Sequence, residues 1–97
     1  MNPIICQAIK DMRVLTFQYD GHFRKIEPHA YGITTADNEA IRCYQTSGGS
    51  NSGTVPGWHL MLVGRISSLV VTEETFSSAR PGYRRGDRGM STIFYEL

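Results

Sequence analysis

Ninety-seven residues, 40% of them apolar and 20% charged, suffice for one hydrophobic core and leave no room for a second. The profile is neither that of a disordered chain nor that of a fibrous one, and no apolar run approaches the ~20 residues a membrane span requires. The net charge of +1 is unevenly spread: residues 1–76 carry six basic and seven acidic side chains, residues 77–97 four arginines against two acids. We therefore divide the chain into a body, 1–76, and a basic C-terminal extension, 77–97, whose charge suits phosphate or an acidic protein. Cys6 and Cys43 lie in apolar patterns and read as buried free thiols, which implies a reducing compartment; with no leader pattern at the N-terminus, a cytoplasmic location is expected.

Asn2-Pro3 is a helix start, because asparagine caps free amides and proline is preset for the first helical turn. Ile5, Ala8, Ile9 and Met12 follow at helical spacing, giving a short helix whose apolar stripe must pack on the rest of the chain. From Arg13 to Tyr19 the period becomes two, with Leu15, Phe17 and Tyr19 on one face. Asp20-Gly21 suits a type I′ turn, so His22–Ile33 is expected to return antiparallel, with Pro28 at an edge or a bulge. A turn at Ala36-Asp37-Asn38 leads to a strand over Glu39–Thr46. A long loop, Ser47–Gly57, precedes strands over Trp58–Val63 and Arg65–Phe76, the latter centred on Leu69, Val70 and Val71. Short strands joined by local turns favour a small mainly-β barrel or curved sheet. Ser77–Gly89 reads as irregular. Ser91–Leu97 regains strand character and is expected either to join its own sheet or to add to a partner's edge.

The order helix, Val14-Leu15-Thr16-Phe17-Gln18-Tyr19, Arg24-x-Ile26-Glu27-Pro28, Tyr31-Gly32, Ile41-Arg42-x-Tyr44-Gln45, Trp58-x-Leu60, Arg65-Ile66-x-x-Leu69 resembles the WYL domain over residues 4–76. That resemblance implies one N-terminal helix on a five-stranded SH3-like, Sm-like barrel. It also implies a sensor module of bacterial transcriptional regulation that binds nucleotides or nucleic acid. On the third strand, where the family's Trp-Tyr-Leu falls, this chain has Ala40-Ile41-Arg42-Cys43-Tyr44. No helix-turn-helix precedes the matched segment, so action through a partner or in another role is expected.

Candidate ligand-binding residues are Arg24, Arg42, Tyr44, Gln45, Arg65 and Trp58. Arg42 and Tyr44 share a strand face, and Arg42 reads either as an anion binder or as a partner of Glu27 or Glu39. Arg24 and Arg65 match basic positions that recur in the family, and either could instead make a structural ion pair, the reading favoured for Arg65. Among the aromatics interleaved with these arginines, Trp58 and Tyr44 are expected partly exposed at a site and Phe23 in the core. Arg80, Arg84, Arg85 and Arg88 make a candidate nucleic-acid stripe. Ser47–Gly53 is rich in glycine but lacks the Gly-Lys-Ser/Thr ending of a phosphate loop, and reads first as a hairpin connection. His22, His29, His59 and Cys43 have no zinc spacing, and no nucleophile elbow or carboxylate pair is present. The expectation is no metal, no cofactor and no catalysis. The function read from these features is a ligand-sensing or regulatory module for an anionic ligand, with homo-oligomeric assembly expected beside it and as the rival function.

Overall fold

The computed structural model describes every residue except Ser52 and Thr54. Helix α1 spans Pro3–Lys10, and the Asn2 side chain caps it by accepting from the Ile4 amide at 2.9 Å. The helix stops before Met12, whose positive φ of 53° turns the chain into the first strand. Ile5, Ala8 and Ile9 bury the apolar stripe against the sheet.

Six strands follow: β1 (Arg13–Tyr19), β2 (His22–Thr34), β3 (Glu39–Gly48), β4 (Gly57–Leu62), β5 (Ser67–Thr75) and β6 (Met90–Glu96). The five strands expected of the body are joined by the C-terminal strand, which takes the first of its two expected places, in its own sheet. The sheet is antiparallel and does not close, running β4-β3-β2-β1-β5 with β6 also on β2. No helix among the described residues is long and apolar enough to cross a membrane.

Strand β2 organises the molecule. Along one edge it pairs with β3 from Arg24 to Ile33, and its other edge is shared between β1, as far as Ile26, and β6, from Ala30 onward. Pro28 lies at the register shift between Pro28 and Ala30, where a residue without an amide hydrogen costs the ladder least. Inside, Ile26, Tyr31, Ile41 and Met61 meet Phe17 and the helix stripe. The Tyr31 hydroxyl accepts from the Asn2 amide at 2.7 Å and donates to Glu39, tying the helix start to two strands. Burial and the neighbouring Glu39 carboxylate push its pKa up to about 12.

The structure corrects the sequence reading at Phe23 and at Cys6. Phe23 is 51% exposed, because the alternation that buries Arg24 and Ile26 turns it outward. Val70 and Val71 are exposed as well, since β5 is an end strand that β1 alone covers. Of the two free thiols Cys43 is buried and Cys6 only half-buried.

At Gly32 the backbone of β6 lies close against β2. A β-carbon there would meet the Thr92 carbonyl at 2.0 Å and Ile93 Cα at 3.0 Å. Gly32→Ala should therefore destabilise the fold by about 2 kcal/mol in urea titration, with hydrogen exchange quickening in β6 ahead of β1.

Candidate functional site

Around the middle of β2 and β3 both faces of the sheet are covered. In β3 the two-residue period turns Ile41, Cys43 and Gln45 into the core and leaves Arg42, Tyr44 and Thr46 half-buried on the other side. Leu60 and Trp58 of β4 stand opposite Arg42 and Tyr44. Residues 77–89 cross this second face as a strap, and it is the outward residues of β2 that hold it there.

Glu27 and His29 are the anchors. The Glu27 carboxylate, almost fully buried, accepts two hydrogen bonds from Arg80, from Nε at 2.7 Å and from Nη2 at 2.9 Å. The Arg80 guanidinium carbon also sits 4.7 Å from the centre of the Tyr44 ring. His29 is completely buried among the rings of Trp58, Phe76 and Tyr83, at centroid distances of 4.8, 5.4 and 5.1 Å. Its Nε2 lies 3.0 Å from the Arg80 amide, which must donate, so its Nδ1 carries the hydrogen that reaches the Glu27 carbonyl at 2.9 Å. Further along, Trp58 Nε1 donates to the Pro81 carbonyl at 3.2 Å, and the Tyr83 hydroxyl donates to the main-chain oxygens of His29 and Leu97, at 3.3 Å in each case.

Between the far half of the strap and the sheet lies a cleft of about 580 Å³, lined by Arg42, Trp58 and Gly82–Arg88. Arg42 is bound there to Asp87, with Nε to Oδ2 at 2.6 Å. This contact holds the Asp87 carboxyl below the usual carboxylate range. Arg85 donates to the Leu97 main-chain oxygen at 3.0 Å and approaches Glu96 at 3.4 Å. Arg84 and Arg88 are exposed and, among the described residues, have no ion-pair partner.

The predicted residues thus divide. Arg42 and Trp58 meet Arg84, Arg85 and Arg88 in one cleft, joining two groups that the sequence kept apart. Tyr44 stands behind Trp58, ring centres 5.5 Å apart, and Arg80 is committed to Glu27. Arg24 is buried, donating to the Tyr19 carbonyl and, at 3.1 Å, to Gln45 Oε1. Gln45 in turn donates to the carbonyls of Ser47 and Gly49, so this pair supports the glycine-rich loop outside the cleft. The loop meets His22 through Asn51, while Ser52, part of the same run, lies outside the described residues. Arg65 binds Asp20 and covers the Tyr19 ring at 5.1 Å, lining a separate hollow beside Asp37–Glu39. Of the partners considered for Arg42, Glu27 holds Arg80 and Glu39 holds Tyr31; Asp87 is the one it takes.

His29, Tyr83 and Asp87 were not singled out for these roles. A lone tyrosine and a lone aspartate within an Arg- and Gly-rich run were the available signal. No cluster of three or more His, Cys, Asp or Glu among the described residues is placed to hold a metal ion. No protein-family model matches the chain, and no curated protein or solved structure is significantly similar to it.

Burial lowers the pKa of His29 below its ordinary value of 6.5, outweighing the Glu27 contacts that favour its charged form. Protonation is then easier in the unfolded chain. Stability should be undiminished above pH 6.5 and should fall as the pH drops through that value toward the folded-state pKa. Urea midpoints at pH 7.5 and pH 5 should show this loss, and His29→Gln should flatten the dependence in that window.

Proposed function

We propose that this chain is a ligand-sensing or regulatory binding module whose cleft takes an anionic ligand, a nucleotide or a segment of nucleic acid. The observation that carries the reading is the pair Arg84 and Arg88, exposed and without ion-pair partners among the described residues, in the same cleft as Arg42 and Trp58. Guanidinium groups match phosphate in shape and charge, and an indole beside them offers a base a surface to stack on. A volume of about 580 Å³ suits a small ligand, since such sites run from roughly 300 to 1,000 Å³. The resemblance to the WYL domain favours the same ligand class. It also favours an SH3-like barrel as the finer description of the fold, a reading supported by the long β2 strand with its register shift at Pro28. In this reading the module binds without turnover and works in a reducing cytoplasm, where Cys6 and Cys43 stay free.

Titration with nucleotides and short single-stranded oligonucleotides, followed by the fluorescence of Trp58, tests the proposal. A saturable change is expected. For oligonucleotides the affinity should fall steeply with salt, and Arg84→Ala or Arg88→Ala should each reduce the salt slope by about 0.7 without altering thermal stability. A flat fluorescence titration together with an unchanged melting temperature would remove the reading.

Assembly through strand edges is a second reading, favoured by the exposed Val70 and Val71 on β5, an end strand of the sheet. Sedimentation should then show concentration-dependent association that Val71→Lys abolishes; a monomer at every concentration would exclude it.

A further inference from the structure

Among the described residues lining the cleft, Asp87 is the single acid, set against Arg42, Arg84, Arg85 and Arg88. Its Oδ2 accepts from Arg42 Nε at 2.6 Å, and its Oδ1 accepts from Arg42 Nη2 at 3.3 Å and from the Gly89 amide at 2.8 Å. This is the two-point contact a guanidinium makes with any planar or tetrahedral oxyanion. The aspartate side chain is only 10% exposed, whereas 29% of Arg42 stays accessible. An anion entering the cleft therefore reaches a guanidinium already engaged by a carboxylate.

We propose that Asp87 is an internal competitor for the ligand, occupying Arg42 until a phosphate-like group displaces it. Two anions cannot share this guanidinium without repelling each other, and the repulsion is little screened so close to the protein interior. The exchange asks little of the backbone. Rotation of the Asp87 side chain releases Arg42 and gives up the Gly89 amide, while the Asp87 carbonyl keeps its bond from the Met90 amide at 3.0 Å, and the Gly89 carbonyl keeps its bond from the Thr35 amide, also at 3.0 Å. Asp87 would thus set the threshold of affinity. A weakly charged ligand is refused, and one carrying two negative charges, such as a terminal phosphate, is accepted. The inference rests on the anion-binding reading of the cleft.

Inorganic pyrophosphate is the probe, titrated into the wild-type chain and into Asp87→Asn by calorimetry. The asparagine oxygen can still accept from the Gly89 amide, so the substitution removes charge more than shape. Affinity should rise about tenfold in the variant, the effect expected of one partly screened charge. Wild-type binding with equal or weaker binding by the variant would overturn the competition and leave Asp87 as a residue that positions Arg42, the anion site itself standing. Binding by neither chain would remove the anion site and the competition together. Should the variant fold poorly, the wild type supplies its own test in a carbon NMR titration of the Asp87 carboxyl. Arg42 holds that pKa low, and saturating pyrophosphate should return it toward the ordinary aspartate value of 3.8. A pKa unmoved by bound pyrophosphate would overturn the proposal.

Discussion

The fixed point of this protein is the outer side of β2, where Glu27 and His29 are buried on the face opposite the apolar core. A buried carboxylate and a buried imidazole demand partners, because neither is stable in a dry environment with its hydrogen-bonding capacity unmet. The strap supplies them at one residue. The Arg80 guanidinium meets Glu27 and the Arg80 amide meets His29, while Trp58, Phe76 and Tyr83 close around the imidazole. Residues 77–89 have almost no regular structure of their own, so these contacts stand in for a ladder of backbone bonds. β6 completes the attachment by extending the edge of β2 beyond the end of β1.

That attachment is also what forms the cleft. Held down at Arg80, Pro81 and Tyr83, the strap is carried past Trp58 to Asp87, where it meets the sheet again at Arg42. The space between these contacts is bounded by a rigid strand pair on one side and by an arginine-rich turn on the other. Stability and site therefore share components: the ring cluster that buries His29 also presents Trp58 to the cleft. Charge is sorted in the same way. Arg65 and Arg80 are paired with Asp20 and Glu27, and Arg24 is held inside the fold by the neutral oxygens of Tyr19 and Gln45, whereas Arg84 and Arg88 keep their guanidiniums open to the cleft.

Local rules carried the sequence reading a long way. The Asn2 cap, the Asp20-Gly21 turn, the proline at an irregular point of β2 and the alternation that separates Arg42 and Tyr44 from Gln45 depend on neighbours a few residues apart, and each is present as expected. The reading was weaker wherever the outcome depended on what covers a surface. Phe23 and Val70 have core-like side chains but lie on faces that nothing covers. His29 has the chemistry of a metal ligand, yet aromatic rings enclose it.

What the sequence determined by itself was one mainly-β unit with an N-terminal helix, its strand boundaries to within a few residues, and an excess of arginine near the C-terminus. These follow from periodicity, capping and turn chemistry, which act over short distances along the chain. The tertiary structure alone decided which arginines are spent on structure and which remain free. It also decided that Asp87 rather than Glu27 or Glu39 meets Arg42, and that the last strand completes its own sheet. Those outcomes join residues up to 66 positions apart, as in the pairing of Ala30 with Glu96, and they depend on closing long loops around a shared face. No local pattern encodes such a choice, because the same arginine is a structural ion or a ligand contact according to which carboxylate the fold brings within reach.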